Sequence, residues 1–485
     1  MTAPPVGMQP KHHGSTRVSV ATTTTSQPHA QAAKVAAVAM SPRTRAMLEG
    51  AILPTLLRLI AGNLTGTVTQ AVVGLMGTFY ISWLGADAVA GVTLVFPLFI
   101  LMTTMSGGGV GGAVSGVVAR TLGAGRPEAA DAVALHAIAL GFLLGAVFTA
   151  AELLGGPALF RAMGATGGTL QAAIAYGGVL FAGISALWLY NILNAILRGA
   201  GTVRLSAIVT VVGAAVTLSL SPAMILGWGP FPQFGIVGAA LVPTIFYVGA
   251  TIFLAVYLLS GRTPINPLRR IKFETRLFWQ ILRIGLPAAV NTSLTSSTLL
   301  LIAWLVASFG SKALAGYGIA SRLETGLSPV LAGIGASLVA MVGSNIGAGQ
   351  LARAQRITWI GACLAGCLTA AIGVFGFFAP GVWIGIFSND AAVLDAGTRY
   401  LHTVGPAFAF LGIANTLFFA SLGAGRPFWP LCCAFLRLVT TVGGGAVAGF
   451  TLGGGLDGIS AAMVVGLIVY GGGTALAIRL GAWRR

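Results

Sequence analysis

Again and again along this chain, roughly 20 or more apolar residues follow one another without a charged side chain, the length a helix needs to cross the hydrocarbon core of a bilayer. That pattern constrains the fold more than any other feature. Only 8% of the 485 residues are charged and 56% are hydrophobic, too few charges to cover a soluble protein of this size. The 70 glycines suit membrane helices, where a missing side chain permits close contact and local bending. The expectation is an all-α polytopic membrane protein.

The runs place twelve spans at 56–82, 88–118, 129–153, 168–197, 204–227, 235–260, 280–308, 313–342, 354–378, 392–421, 428–452 and 457–480. Pro97, Pro222, Pro243, Pro329 and Pro406 fall inside spans and are candidate kinks. Most Lys and Arg lie in the tail, near the start of span one or at the connections after even-numbered spans, whereas Arg161, Lys312 and Arg399 fall on the opposite side and Arg322 lies within a span. The opposite connections carry Asp87, Glu152, Asp390, Asp395 and Asp457. The positive-inside rule therefore puts both termini in the cytoplasm. Residues 1–45 are basic, rich in Ser and Thr, and free of acids. They read as a disordered cytoplasmic tail, with an organellar transit peptide as the alternative.

The net charge of +17 would suggest nucleic-acid binding in a soluble chain. Here the arginines sit in short loops without interleaved aromatics, which argues against that class. Four cysteines, Cys363, Cys367, Cys432 and Cys433, lie in apolar segments and read as buried free thiols, with no metal site.

A glycine-rich tetrapeptide recurs on a fixed spacing: "LGAG" at 122, "RGAG" at 198, "IGAG" at 346 and "LGAG" at 422. The members of each pair are 76 apart, and the second pair follows the first by 224. All four fall at cytoplasmic span ends, where glycine lets a helix stop and the chain turn. "LGADAVAG" at 84–91 matches "FGSKALAG" at 309–316, Asn191 matches Asn415, and "FGIVGAALVPTIFYVG" at 234–249 echoes "DGISAAMVVGLIVYGG" at 457–472. Such ordered matches indicate an internal duplication. The division is an N-terminal six-helix lobe at 46–260, a cytoplasmic linker at 261–279 and a C-terminal lobe at 280–485. Six spans per half give both lobes the same orientation, related by a twofold axis along the membrane normal around a central cavity.

The residues "QAVVGLMGT", "WLGADAVAG", "ARTLGAG", "LRGAGTVR", "GPFPQFGIVGAA", "YGIASRLE" and "VGSNIGAG", in this order over about 430 residues, resemble the MATE family of multidrug and toxic-compound extrusion transporters. The resemblance implies a V-shaped pair of six-helix bundles. It also implies export of cationic or amphipathic compounds in exchange for inward protons or sodium ions. No organic cofactor is expected, and the chain is expected to act as a monomer in a bacterial inner membrane. Where proton-coupled relatives carry aspartates in spans one and five, this chain has Gly77 and Ser221, so that coupling does not transfer.

Glu324 is the clearest acid inside a span. An intramembrane acid reads as functional, which makes it the coupling-ion candidate, with a structural ion pair as the competing reading. Arg322 lies two residues away, off the helical face of Glu324. Gln70, Asn191, Asn194, Tyr317, Arg322, Asn345 and Asn415 are candidates for the cavity or the substrate, although such residues also hold membrane helices together. His402 and His136 carry less weight. Alternatives are a lipid-linked precursor flippase of the same superfamily, which would need a basic cavity, or a channel. A membrane enzyme is the remaining alternative, and no catalytic constellation supports it.

Overall fold

A computed structural model describes residues 1–3, 41–269 and 271–483; most of the expected tail lies outside the described residues. Residues 41–485 form one compact unit. Among the described residues there is no strand. Within the described residues eleven helices are long and apolar enough to cross a membrane, and a bent pair supplies a twelfth.

The spans run Ile52–Ser82, Ala86–Gly123, Pro127–Ala162, Gly167–Ala182 with Ile184–Gly199, Val203–Leu226, Ile236–Leu259, Thr275–Ala307, Ser311–Gly347, Leu351–Phe378, Ala391–Ala424, Phe428–Thr451 and Gly455–Arg479. Span four bends by 44° at Gly183. There an added Cβ would meet the Thr244 side chain at 2.5 Å. Span eight breaks at Leu327, with Pro329 in the first turn of its second segment, and span ten breaks at a short 3-10 turn containing Pro406. Pro97, Pro222 and Pro243 lie within continuous helices, as do Pro157 and Pro287. The glycine-rich run Met105–Val110 in span two winds as a π-helix, as do Val439–Gly443 and Val447–Thr451 in span eleven.

A short helix, Pro42–Glu49, precedes span one and is capped by the Ser41 side chain. It begins inside the region expected to be a tail. Its Met47, with Leu56, Leu59 and Ile60 of span one, packs into the apolar cluster built mainly from spans seven to twelve. The other large cluster is centred on spans two to six.

The four tetrapeptides share one backbone solution. Their last glycines, Gly125, Gly201, Gly349 and Gly425, have φ of +70, +76, +76 and +75°, left-handed values that end the helix and favour glycine. Their earlier glycines are contact points. Within the halves, a Cβ on Gly199 would lie 2.6 Å from the Ser115 carbonyl oxygen, and one on Gly423 would lie 2.8 Å from that of Val339; 115 and 339 differ by the same 224. Between the halves, a Cβ on Gly123 would lie 2.1 Å from the Ser344 carbonyl oxygen, and one on Gly347 would lie 2.0 Å from that of Arg120. Residues 120 and 344 are again 224 apart, so each half offers the other the same surface, as a twofold axis requires.

Candidate functional site

The junction between the sequence halves is built from small residues and backbone. Gly343 meets Ala119, Gly116 meets the carbonyl of Leu422, and Gly109 sits on the backbone of Ala289. Backbones approach this closely only where side chains are absent. Polar clasps reinforce the contact. The Arg120 guanidinium donates to the Leu422 carbonyl at 3.0 Å and to that of Gly423, Asn63 Nδ2 donates to Ser337 Oγ at 2.9 Å, and Asn345 Nδ2 donates to the Met47 carbonyl at 3.0 Å.

These contacts lie between the tetrapeptide ends and a level marked by Asn63, Gly108 and Thr292. Beyond that level the packing thins. From Thr65 to Tyr80 no residue of span one is fully buried, and a Cβ at Gly74 or Gly77 would meet nothing within 4 Å. Gln70 and Phe79 are exposed there. At the Thr292 level the contacts are polar but uncharged: Asn191 Nδ2 donates to Ser106 Oγ at 2.8 Å, Gly107 lies against the Asn191 amide, and Gly108 against the Thr292 methyl.

Several residues taken as cavity candidates lie elsewhere. Asn345 is fully buried at the tetrapeptide end, tied to Met47 and Met341. Asn194 is buried, donating to the Tyr190 carbonyl and accepting from Ser206. Arg322 is exposed, with its guanidinium 5.4 Å from the ring centre of Phe387, where a long cationic side chain reaches the membrane boundary and its aromatic belt. Asn415 leaves its Oδ1 buried without a partner. At the shift of 224 the position matching Ser106 is Val330, which has no hydroxyl to accept from the Asn415 amide as Ser106 does from Asn191.

Glu324 is 4% exposed and does not pair with Arg322. Its Oε1 lies 3.5 Å from Nη2 of Arg437 on span eleven, and its Oε2 accepts from the Tyr400 hydroxyl at 3.2 Å. Tyr317 stacks edge-on against Tyr400. Arg437 is itself buried over the Tyr470 ring, and the Tyr470 hydroxyl donates to Asn291. The Nη1 of Arg437 and the hydroxyl of Thr441 have no hydrogen-bond partner among the described residues. A void of about 10 Å³ touches Tyr317, Tyr400 and Ser460 near the outer turns of spans eight, ten and twelve, space for about one water molecule. The sequence singles out Glu324 but not Arg437, because a lone arginine nine residues inside span eleven, between "CCAF" and "LVTT", does not show which face of the span it occupies.

The weakest histidine candidate also has a definite place. His136 is fully buried; its Nδ1–H donates to the Ala132 carbonyl, and its Nε2 accepts the Glu274 amide at 2.7 Å. With Asp131, which accepts the Asn266 amide and pairs with Arg269, it anchors the segment before span seven to span three. The cysteines depart from expectation: Cys363 and Cys367 are exposed on one face of span nine, 4.0 Å apart as free thiols, and Cys432 and Cys433 are half-buried. A helix in lipid does not need to bury an apolar thiol in protein.

The MatE family model matches residues 64–223 and 287–447. The chain belongs to the MatE family. This MatE chain is 27% identical to the probable multidrug resistance protein YoeA of Bacillus subtilis, over 76% of this chain and 80% of that protein. It is 30% identical to a FAD transporter of Shewanella oneidensis, over 81% and 87% of the two chains. A structure described as the outward-facing conformation of a multidrug resistance MATE family transporter superposes with a TM-score of 0.83 at 25% identity, over 92% of this chain and 99% of that one. Membership makes the chain a multi-pass membrane transporter, not an enzyme.

Proposed function

We propose that this MatE chain is a secondary active exporter of cationic or amphipathic small molecules, working by alternating access and driven by inward movement of protons or sodium ions. The carrying observation is the asymmetry of the junction. Backbone-to-backbone contacts join the halves at the tetrapeptide end, while residues 65–80 of span one are only loosely packed against the rest of the chain. With the arginine-rich connections in the cytoplasm, this is the state that releases substrate outward. The family and the multidrug names of relatives support the export direction. Gln70, Phe79 and the Asn191–Thr292 level offer a mostly apolar chamber with few fixed charges, suited to burial of amphipathic molecules plus weak polar contacts.

Coupling is assigned to Glu324. Protonating it removes the countercharge of Arg437, and a buried unpaired cation costs several kcal/mol. Occupancy of the carboxylate therefore biases span eleven toward an arrangement in which Arg437 finds other partners, which is how a bound cation acts on a two-state machine. The water-sized void beside Tyr317 and Tyr400 supplies the outer approach. In proteoliposomes, efflux of a fluorescent cation is measured under imposed proton and then sodium gradients. Wild type responds to one of them, and Glu324→Gln loses that response; full retained coupling in this variant rejects the assignment.

A second reading of the substrate rests on the same charge inventory. With Glu324 paired to Arg437, that level holds no free carboxylate among the described residues to select a cation. An anionic, flat molecule of the flavin-nucleotide class, as in the name of the Shewanella relative, fits such a chamber equally. Efflux of FAD in the same vesicles separates the two.

A further inference from the structure

On the lipid-facing side of the second half, spans nine, ten and twelve leave a groove of about 650 Å³. Small residues create it: Gly366 and Ala370 on span nine, Ala409 on span ten, Gly472 and Ala475 on span twelve. Gly472 has open space where a Cβ would stand. The walls are apolar except at one end. There, at the tetrapeptide side, Arg479 is exposed with its guanidinium 5.1 Å from the ring centre of Trp359, and it has no carboxylate partner among the described residues. Arg356 is exposed three residues before Trp359.

We propose that this groove is a binding site for one anionic phospholipid, with an acyl chain lying along Cys363 and Cys367 and the phosphate on Arg479. Three features select that occupant. The groove lies along helices that cross the bilayer, so its contents come from the bilayer. Its length is apolar, which matches a hydrocarbon chain. Its single charge is cationic and stands beside an indole at one end of the spans, the depth at which headgroups and aromatic belts meet. A zwitterionic headgroup would bring the Arg479 charge a phosphate together with a competing ammonium; an anionic one brings the phosphate alone.

The test uses the purified full chain with Cys432 and Cys433 replaced by Ala, leaving Cys363 and Cys367 as reporters. Maleimide labelling and thermal unfolding are followed in detergent with phosphatidylglycerol, with phosphatidylcholine at the same concentration, or with inorganic phosphate. Phosphatidylglycerol is expected to slow labelling and raise the midpoint more than phosphatidylcholine does, and phosphate alone is expected to do neither. Arg479→Gln should weaken the phosphatidylglycerol effect roughly fivefold, the factor for one basic residue at an anionic surface, while unfolding normally without lipid. Gly472→Leu, which fills the groove, should abolish the slowed labelling. Equal effects of the two lipids, protection by phosphate alone, or an unchanged phosphatidylglycerol response in both variants overturns the site.

Discussion

Replacing Gly123 by Ala tests whether the tetrapeptide end is a separable gate. The added Cβ would stand 2.1 Å from the Ser344 carbonyl oxygen and 2.8 Å from its carbonyl carbon and Cα. Ordinary contact begins at 3.4 Å, so the halves must separate locally by about 1.3 Å, the difference of those two distances. Both partners are backbone, so no rotamer change relieves the clash. Overpacking of this kind costs about 1–3 kcal/mol. If the cost falls on the sealed state alone, it moves the sealed-to-open ratio by roughly 5- to 150-fold. Spin labels at Arg126→Cys and Ala352→Cys, in a background without native cysteines, report the separation by pulsed electron resonance. Gly123→Ala should enlarge the long-distance population, and Gly347→Ala, with its 2.0 Å approach to Arg120, should do the same. Gly199→Ala strains a contact inside one half; it should lower thermal stability without moving the distance distribution. Gly74→Ala, which meets nothing, should change neither. A folded Gly123→Ala protein with the wild-type distribution would show that the halves do not separate at this junction.

Three further outcomes follow from individual contacts. Glu324→Gln strands Arg437 in the protein and should cost about 3–5 kcal/mol, whereas Glu324→Gln with Arg437→Met should regain most of the unfolding midpoint without regaining ion coupling; a double variant as unstable as the single one would refute the pairing. His136→Phe keeps the ring but loses two hydrogen bonds, worth about 0.5–1.5 kcal/mol each; hydrogen exchange at the Glu274 amide should accelerate, and unchanged protection would place the anchor elsewhere. The Lys312 ammonium, 2.9 Å away, and the Ala392 amide hold the Asp390 carboxyl below its usual range. A depressed carboxyl stabilises above its unfolded value, near 3.9, and loses that contribution as pH falls through its lower folded value. The midpoint difference between wild type and Asp390→Asn should therefore be flat above about pH 5 and shrink in stronger acid; a difference that grows on acidification contradicts the contact.

Much of the architecture was legible because lipid reduces the options. A long apolar run has one stable form in a bilayer, and the duplicated glycine strings carried their geometry with them. The φ values at Gly125, Gly201, Gly349 and Gly425 are what a helix stop requires, and they belong to the residue type rather than to its neighbours. Side-chain partners were not legible in this way. Asn345, Asn194 and Arg322 look in sequence like polar residues facing a chamber; which face of a span meets protein, lipid or water depends on how helices rotate against one another, and a weakly amphipathic membrane helix does not encode that in its periodicity. Arg437 was missed for the same reason. His136 was undervalued because its partner is a backbone amide 138 residues away, which no side-chain pattern records.

The duplication also shows where the two halves stopped being equivalent. At the shift of 225 that aligns "LGADAVAG" with "FGSKALAG", the position of Glu324 is Phe99 in the first half, and the first-half sites Gly77 and Ser221 carry no charge. Symmetric backbones therefore hold an asymmetric charge: a buried pair, Glu324 and Arg437, lies within the second half alone. A neutral pair inside one bundle adds no net charge to the shared junction, which opens and closes against packing and a few clasps such as the Arg120 guanidinium on the Leu422 and Gly423 carbonyls. The same pair can still change that balance when a cation takes its carboxylate, because span eleven contacts span seven and span seven carries Ala289, on which Gly109 of the first half rests. The energetic link from ion to gate then runs through span seven, and Asn291→Ala, which loses the Pro430 and Tyr470 contacts, should weaken gradient-driven efflux while leaving the Gly109–Ala289 contact in place.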